Sequence, residues 1–254
     1  MKRTIKKLLY GGFYSILFFI FVFGFYNIFL KAAPTCFDGI KNQNETGIDC
    51  GGIRPLCILT ELSPLELKGA VKVFGLSSGR VVFLADVLNS NSYGADAVPY
   101  EFLVYDRSGD VIEKIKGSYG FAPLERKFIY ESNAQSIFSE ISRVDLVFTA
   151  PAWKVVTQLP KSDVVLAGSV NTMVSESSVV VTGRVSNRGL MSVSALKILA
   201  VLSNRFGNEI FAAQTVLNDF RGFEERDFSI LIPADPGLKK EFDPEATKVF
   251  FSVQ

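Results

Sequence analysis

From Leu8 to Leu30 the chain carries no charged residue. At a rise of about 1.5 Å per residue, a helix over this run matches the roughly 30 Å hydrocarbon core of a bilayer. The pattern therefore predicts a transmembrane α-helix over 8–30. Beyond residue 59 or so, the apolar positions follow the shorter period of strands. Arg80–Asn89 is a β-branched, apolar run that ends in the turn-forming Ser90-Asn91-Ser92. Val98–Tyr105 leads into the turn Asp106-Arg107-Ser108-Gly109, and Val111–Ile115 returns as the second arm of a hairpin. Val144, Leu146 and Phe148 alternate with polar neighbours, as do Val249, Phe251 and Val253. Period two marks strands with one buried face.

The residues around the first run set its orientation. Lys2, Arg3, Lys6 and Lys7 precede it. Lys31 and Lys41 follow it, diluted by Asp38, Glu45 and Asp49. The positive-inside rule keeps the N-terminus in the cytoplasm and places the rest of the chain outside. Tyr10, Tyr14 and Tyr26 lie toward the two ends, where an amphipathic ring sits at headgroup level. The competing reading is a cleaved signal peptide. Its apolar core is shorter, about 7–15 residues, and ends at a small-x-small site, which Lys31-Ala32-Ala33 supplies poorly. A retained anchor fits better. A lipidated cysteine fits less well still, because Ala33-Pro34-Thr35-Cys36 lacks the small residue expected just before it.

The strand region repeats itself. A displacement of 98 residues carries Val87 onto Val185, Asn89 onto Asn187, Arg107 onto Arg205, Gly109 onto Gly207 and Ile112 onto Ile210. Slightly larger displacements carry Glu125-Arg126-Lys127-Phe128 onto Glu225-Arg226-Asp227-Phe228, and Arg143–Phe148 onto Lys248–Val253. A self-similar period of this size predicts two copies of one supersecondary unit, each the size of an immunoglobulin-like sandwich. The expected fold is mainly β: two immunoglobulin-like antiparallel β-sandwiches behind one N-terminal transmembrane helix. The expected organisation is a basic tail (1–7), the helix (8–30), a spacer (31–58) and β-sandwich domains at 59–158 and 159–254. Trp153 falls near the domain boundary, with two roles open to it: packing in the junction or capping the first core.

All three cysteines lie in the spacer, at Cys36, Cys50 and Cys57. So short a segment, rich in Gly, Asp and Asn, builds no apolar core and calls for a covalent or metal clip. The run Cys36-Phe37-Asp38-Gly39 through Asp49-Cys50-Gly51-Gly52 to Cys57 resembles a cysteine-rich element of bacterial surface and secreted proteins. Asn42, Glu45 and Thr46 also match it. Arg54 stands where that element has a further cysteine. The resemblance thus implies one disulfide and one leftover thiol among the three cysteines, with the pairing open. Asp38, Asn42, Asn44, Glu45 and Asp49 supply hard oxygen ligands and define a candidate weak calcium site. An EF-hand is excluded, because a loop begun at Asn42 puts Ile53 where the bidentate Glu belongs. Turn capping by the same side chains is the simpler alternative. Zinc fits poorly with three cysteines and no histidine.

Phe102-Leu103-Val104-Tyr105-Asp106 is similar to the F-x-[LV]-Y-D signature of the FxLYD domain, a bacterial and archaeal β-sandwich related to late-embryogenesis-abundant, water-stress proteins. Val87–Asn91, Gly109–Ile112 and Pro123-Leu124-Glu125 extend the likeness. In the second copy the signature has decayed to Ala200-Val201-Leu202-Ser203-Asn204. The resemblance implies a seven-stranded sandwich without known catalytic residues. The residues themselves suit folding roles. Phe102 and Val104 share one strand face, Tyr105 anchors its ring at the sheet edge, and Asp106 opens the turn that Gly109 closes.

Composition narrows the function. The formal net charge is +1, which removes the usual electrostatic basis for binding nucleic acid. There is no histidine, so Ser-His-Asp, Cys-His and His-metal chemistry are excluded. No phosphate-binding or nucleophile-elbow glycine motif occurs. The carboxylate pairs Glu224-Glu225 and Asp243/Glu245 lie in polar turns, where a solvated surface is the ordinary explanation. No catalytic residue, resident cofactor or small-molecule substrate is expected. The expected role is a non-enzymatic, membrane-anchored binding or structural module of the cell envelope. Its partners would be the bilayer, through Leu8–Leu30, and an envelope protein. The alternative is an accessory subunit of a membrane transport, secretion or pilus-assembly complex.

Overall fold

A computed structural model describes residues 3–27, 62–76, 79–154, 163–233 and 236–253. Met1–Leu62 and Ser63–Gln254 form separate compact units. In the first, helix α1 spans Arg3–Phe25. Its large side chains from Tyr10 to Phe25 are exposed on every face. Arg3, Lys6 and Lys7 make its first turns basic, and residues 28–30 of the expected span lie outside the described residues. Among the described residues no helix is both long and apolar enough to cross a membrane. The spacer falls outside them too, with Cys36, Cys50, Cys57 and the candidate calcium ligands Asp38, Asn42, Asn44, Glu45 and Asp49.

The second unit is mainly β. Its strands are β1 (Glu66–Leu67), β2 (Lys72–Gly75), β3 (Val81–Leu88), β4 (Ala95–Tyr105), β5 (Val111–Phe121), β6 (Arg126–Glu131) and β7 (Arg143–Phe148). Then follow β8 (Val164–Leu166), β9 (Asn171–Val174), β10 (Ser178–Asn187), β11 (Val193–Ser203), β12 (Glu209–Phe220) and β13 (Glu225–Pro233). A short helix α2 (Pro236–Glu241) precedes β14 (Lys248–Val253). All pairings are antiparallel. β1 and β2 run in succession along one side of β3, and β6 takes the other side. β8 and β9 line β10 in the same way, opposite β13. The remaining sheets are β5-β4-β7 and β12-β11-β14.

Two apolar cores separate these sheets in pairs. Val81, Phe83, Ala85 and Val87 of β3 meet Tyr100, Phe102 and Val104 of β4, with Ile129 of β6 and Val144 of β7. Trp153 packs against this first core. The second core joins Val179, Val181 and Val185 of β10 to Leu196, Ile198, Ala200 and Leu202 of β11, with Phe228 and Ile230 of β13. β4 follows the expected alternation, since Phe102 and Val104 are both fully buried.

β3 and β11 do not alternate, because both faces of each are covered. Val82 and Leu84, on the far face of β3, and Leu199 and Val201, on the far face of β11, are nearly inaccessible. Leu84, Leu199, Val201 and Ala212 form a third apolar cluster with Phe74, Phe128, Tyr130 and Phe250 around it. The Phe128 and Phe250 rings meet edge-on at 5.0 Å, and Phe74 and Phe211 lie 5.7 Å apart. A Lys72–Glu209 ion pair closes one rim. The sheets around β3 and β11 therefore lie back to back, which explains the unbroken apolar run Val81–Ala85.

Strand pairing fixes the register of the internal repeat. Val87, Asn89 and the hairpin turn keep the displacement of 98. Leu88 pairs with Arg126, and Ser186 pairs with Glu225, so Glu125 corresponds to Glu224 and not to Glu225. Tyr100 pairs with Phe148, and Ile198 pairs with Phe251, so Phe148 corresponds to Phe251 and not to Val253.

Candidate functional site

Phe102, Val104, Tyr105, Asp106 and Gly109 lie on β4, the middle strand of its sheet, and in the turn that follows it. Phe102 and Val104 lie in the first core. Tyr105 is half-buried, with the Arg143 guanidinium 4.4 Å above its ring. The Asp106 carboxylate accepts hydrogen bonds from the N–H groups of Ser108 (2.8 Å) and Asp110 (3.0 Å). Gly109 closes the turn at φ 88°, where a side chain would be strained. Asn204 repeats this arrangement, accepting from Phe206 and Asn208 at 3.0 Å each, with Gly207 at φ 80°. These residues build hairpins at one end of the sheets.

The opposite end is built on a buried asparagine in each repeat. Asn89 is 0% exposed and Asn187 is 2% exposed. The Asn89 amide donates to the carbonyls of Tyr93 (2.7 Å) and Ala122 (2.8 Å), and its oxygen accepts from the Asn91 N–H (3.1 Å). The Asn187 amide donates to Met191 (2.9 Å) and Arg221 (2.9 Å), and accepts from the Gly189 N–H (3.0 Å). Each amide thus uses both donors and its acceptor to tie two loops together. A glutamate locks the second loop from outside: Glu125 accepts from the Ala122 N–H at 2.7 Å, and Glu224 from the Arg221 N–H at 2.8 Å. That bond, followed by the Arg226 guanidinium at 2.6 Å, holds the Glu224 carboxyl below the usual carboxylate range.

On the second repeat this end carries an exposed apolar cluster. Leu190 is 82% exposed, Met191 80% and Phe223 70%. Phe223 sits at φ 58°, a left-handed conformation costing a non-glycine residue about 1–2 kcal/mol. Its N–H is held by the Gly189 carbonyl. The two loops touch at Gly222, where a Cβ would lie 2.4 Å from the Leu190 carbonyl oxygen. Arg188 and Arg221 flank the cluster, are exposed, and form no ion pair with any described residue. The sequence singled out neither these arginines nor these apolar residues. The one available signal was large apolar residues beside glycine in segments otherwise marked as turns.

The remaining polar features serve the fold. Asp243 caps the short turn Pro244–Ala246 by accepting from the Glu245 N–H at 3.1 Å. A surface depression beside Asp106 contains Glu113. Burial raises the pKa of that carboxyl, yet bonds from the Ser136 hydroxyl and the N–H groups of Gln135 and Ser136 outweigh it and leave the pKa lowered. A second depression, on the face of β10 and β13, centres on Arg184 and Asp227, which are paired at 2.7 Å. Among the described residues no group of three or more acidic or cysteine side chains could hold a metal ion.

No family model matches the chain. No curated protein matches it either.

Proposed function

We propose that this chain is a single-pass membrane protein. Its C-terminal body consists of two immunoglobulin-like sandwiches of FxLYD type, held on the extracytoplasmic face as a binding or structural module of the cell envelope. One observation carries the reading: α1 presents Phe13, Ile16, Leu17, Phe18, Ile20 and Phe21 on all sides, and all of them are exposed. A helix apolar all round is stable only when it is covered on all sides, and lipid supplies that cover. The uncharged sequence continues to Leu30, which brings the apolar length to that of a bilayer core. The basic residues before it favour a cytoplasmic N-terminus. The exported cysteine element would then act as a spacer with one disulfide.

A tag at Gln254, probed by protease on intact cells, tests the topology. Cleavage from outside supports it, and protection until the membrane is permeabilised sinks it. Crosslinking in the envelope should then recover a defined protein partner.

A second reading makes the helix itself the binding element, within a transport, secretion or pilus-assembly complex. Gly11, Gly12 and Gly24 support it, since they leave open space beside the helix backbone, the surface on which membrane helices pack closely. Exchanging Leu8–Leu30 for an unrelated apolar helix separates the two: function survives in the first and is lost in the second.

A further inference from the structure

The internal repeat provides its own control for the exposed cluster. Both repeats hold the same loops with the same asparagine, so any residue the fold demands there should recur. The clamp recurs, and of the tip only the exposed apolar residue at Leu124 and Phe223 does. Where the second repeat has Arg188, Leu190 and Met191, the first has Ser90, Ser92 and a buried Tyr93. Where the second has Arg221 and Phe223, the first has Ala122 and Leu124. Leu124 shares the left-handed backbone at φ 54°. The second repeat has therefore replaced Ser90, Ser92, the buried Tyr93 and Ala122 by two arginines and two exposed apolar residues, while Leu124 and Phe223 are equally exposed, at 70% each. The fold gains nothing from this, and exposed apolar clusters of this kind mark contact surfaces.

The location of the cluster identifies what it meets. Tyr119, close to the clamped end of the first repeat, has the Lys197 ammonium of the second 5.8 Å from its ring. Phe74, near the opposite end, meets Phe211, which pairs with Leu202 just before the Asn204 turn. The two repeats thus point the same way, and their clamped ends lie together. Ser63, where the body begins, is tied to this same end. Its N–H donates to the Asn91 side chain at 2.9 Å, and its carbonyl accepts from it at 2.8 Å. The first residue of the body therefore lies at the end that carries Leu190, Met191 and Phe223. Arg188 and Arg221 are exposed at this end. Glu224 is paired with Arg226 and also lies in the field of Arg221, and the Asp163 carboxylate lies beside Gly189.

We infer that this end docks on the anionic lipid surface of the bilayer that holds the anchor. Leu190, Met191 and Phe223 enter the headgroup boundary, and Arg188 and Arg221 pair with lipid phosphates. The inference rests on the membrane-anchor reading above. Apolar loops and cations at an interface act together in this way, and each cation near an anionic surface strengthens binding about five-fold.

The full-length chain, reconstituted in vesicles of phosphatidylcholine and phosphatidylglycerol, tests it. In a Trp153→Phe background, Phe18→Trp reports on the helix and Phe223→Trp on the tip, with Leu190→Trp as a second tip reporter. Lipids brominated near the chain end should quench Phe18→Trp. Lipids brominated near the headgroup should quench both tip reporters. Arg188→Gln with Arg221→Gln should lower the docking constant roughly 30-fold. A quenched helix reporter with unquenched tip reporters overturns docking and leaves the anchor standing. An unquenched helix reporter overturns both. Equal tip quenching in pure phosphatidylcholine overturns the role given to the arginines.

Discussion

Replacing Asn187 tests the frame that holds the exposed tip. The side chain is 2% exposed and makes three hydrogen bonds of 2.9–3.0 Å, to Met191, Arg221 and Gly189. Asn187→Ala removes all three and strands two carbonyls and one N–H away from water. Stranding a buried polar group costs about 1–3 kcal/mol, reduced where water enters the gap. The expected loss is about 3 kcal/mol, which for a body of this size is roughly 6–12 °C in Tm. Asn187→Asp is the sharper variant. At neutral pH it sets a carboxylate against two carbonyl oxygens and should cost more than alanine. Burial and those acceptors raise the new carboxyl's folded pKa above its unfolded value of about 3.9. Its folded form therefore tolerates acid better than neutral pH, and the deficit should narrow as the pH falls toward about 4. Denaturant unfolding followed by circular dichroism, run on both variants across that range, measures all of this. An alanine variant within about 0.5 kcal/mol of the parent would refute the clamp. So would an aspartate variant whose deficit is flat with pH.

Phe223→Gly should leave stability unchanged or raise it by about 0.5 kcal/mol, because relief of the left-handed strain outweighs the chain entropy of glycine. A loss above about 1.5 kcal/mol in a melting curve would show instead that the ring packs. Leu84→Ala, between the back-to-back sheets, should cost about 3 kcal/mol and broaden the calorimetric transition as the repeats uncouple. An unchanged, single sharp transition contradicts a shared interface. For Glu209, burial raises the pKa, but the Lys72 ammonium and a backbone bond overcome it and leave the folded pKa lowered. Its stabilisation is therefore complete above the unfolded value of about 4.3 and lost as acid titrates the folded carboxyl. Glu209→Gln should flatten that part of the acid unfolding curve, and an identical curve for parent and variant removes the ion pair from the account.

The strands and turns were legible because their signals are local. Asp106 and Gly109 announce the hairpin by turn chemistry, and the alternation of Phe102 and Val104 survives into the fold because only one face of β4 is buried. β3 reads as an unbroken apolar run, because Val82 and Leu84 are nearly as buried as Val81 and Phe83. A single strand cannot say what covers its second face. The register of the repeat slipped for two separate physical reasons. Glu224 and Glu225 are adjacent, so side-chain identity matches Glu125 to either, and only the strand pairing and the bond to the Arg221 N–H distinguish them. For β14 the displacement ran two residues too far. A period-two pattern is unchanged by a two-residue shift, so alternation alone cannot detect it.

The recurrence of Asn89 at Asn187 was visible in sequence as a sign of kinship, while its role as a clamp was not. A buried amide that ties loops from distant strands has no local signature, because its carbonyl partners carry no side-chain identity. The tip was hidden for the opposite reason. Leu190, Met191 and Phe223 read as ordinary apolar residues, and apolar residues are ordinarily buried. The meaning of Leu190 and Met191 comes only from comparison with Ser92 and the buried Tyr93 on an equivalent scaffold. A pattern of strands and loops that recurs within one chain separates what the architecture requires from what it merely permits. The asparagines belong to the first class, and the arginine-flanked apolar tip belongs to the second, where contact with something outside the chain is the remaining physical reason to keep it.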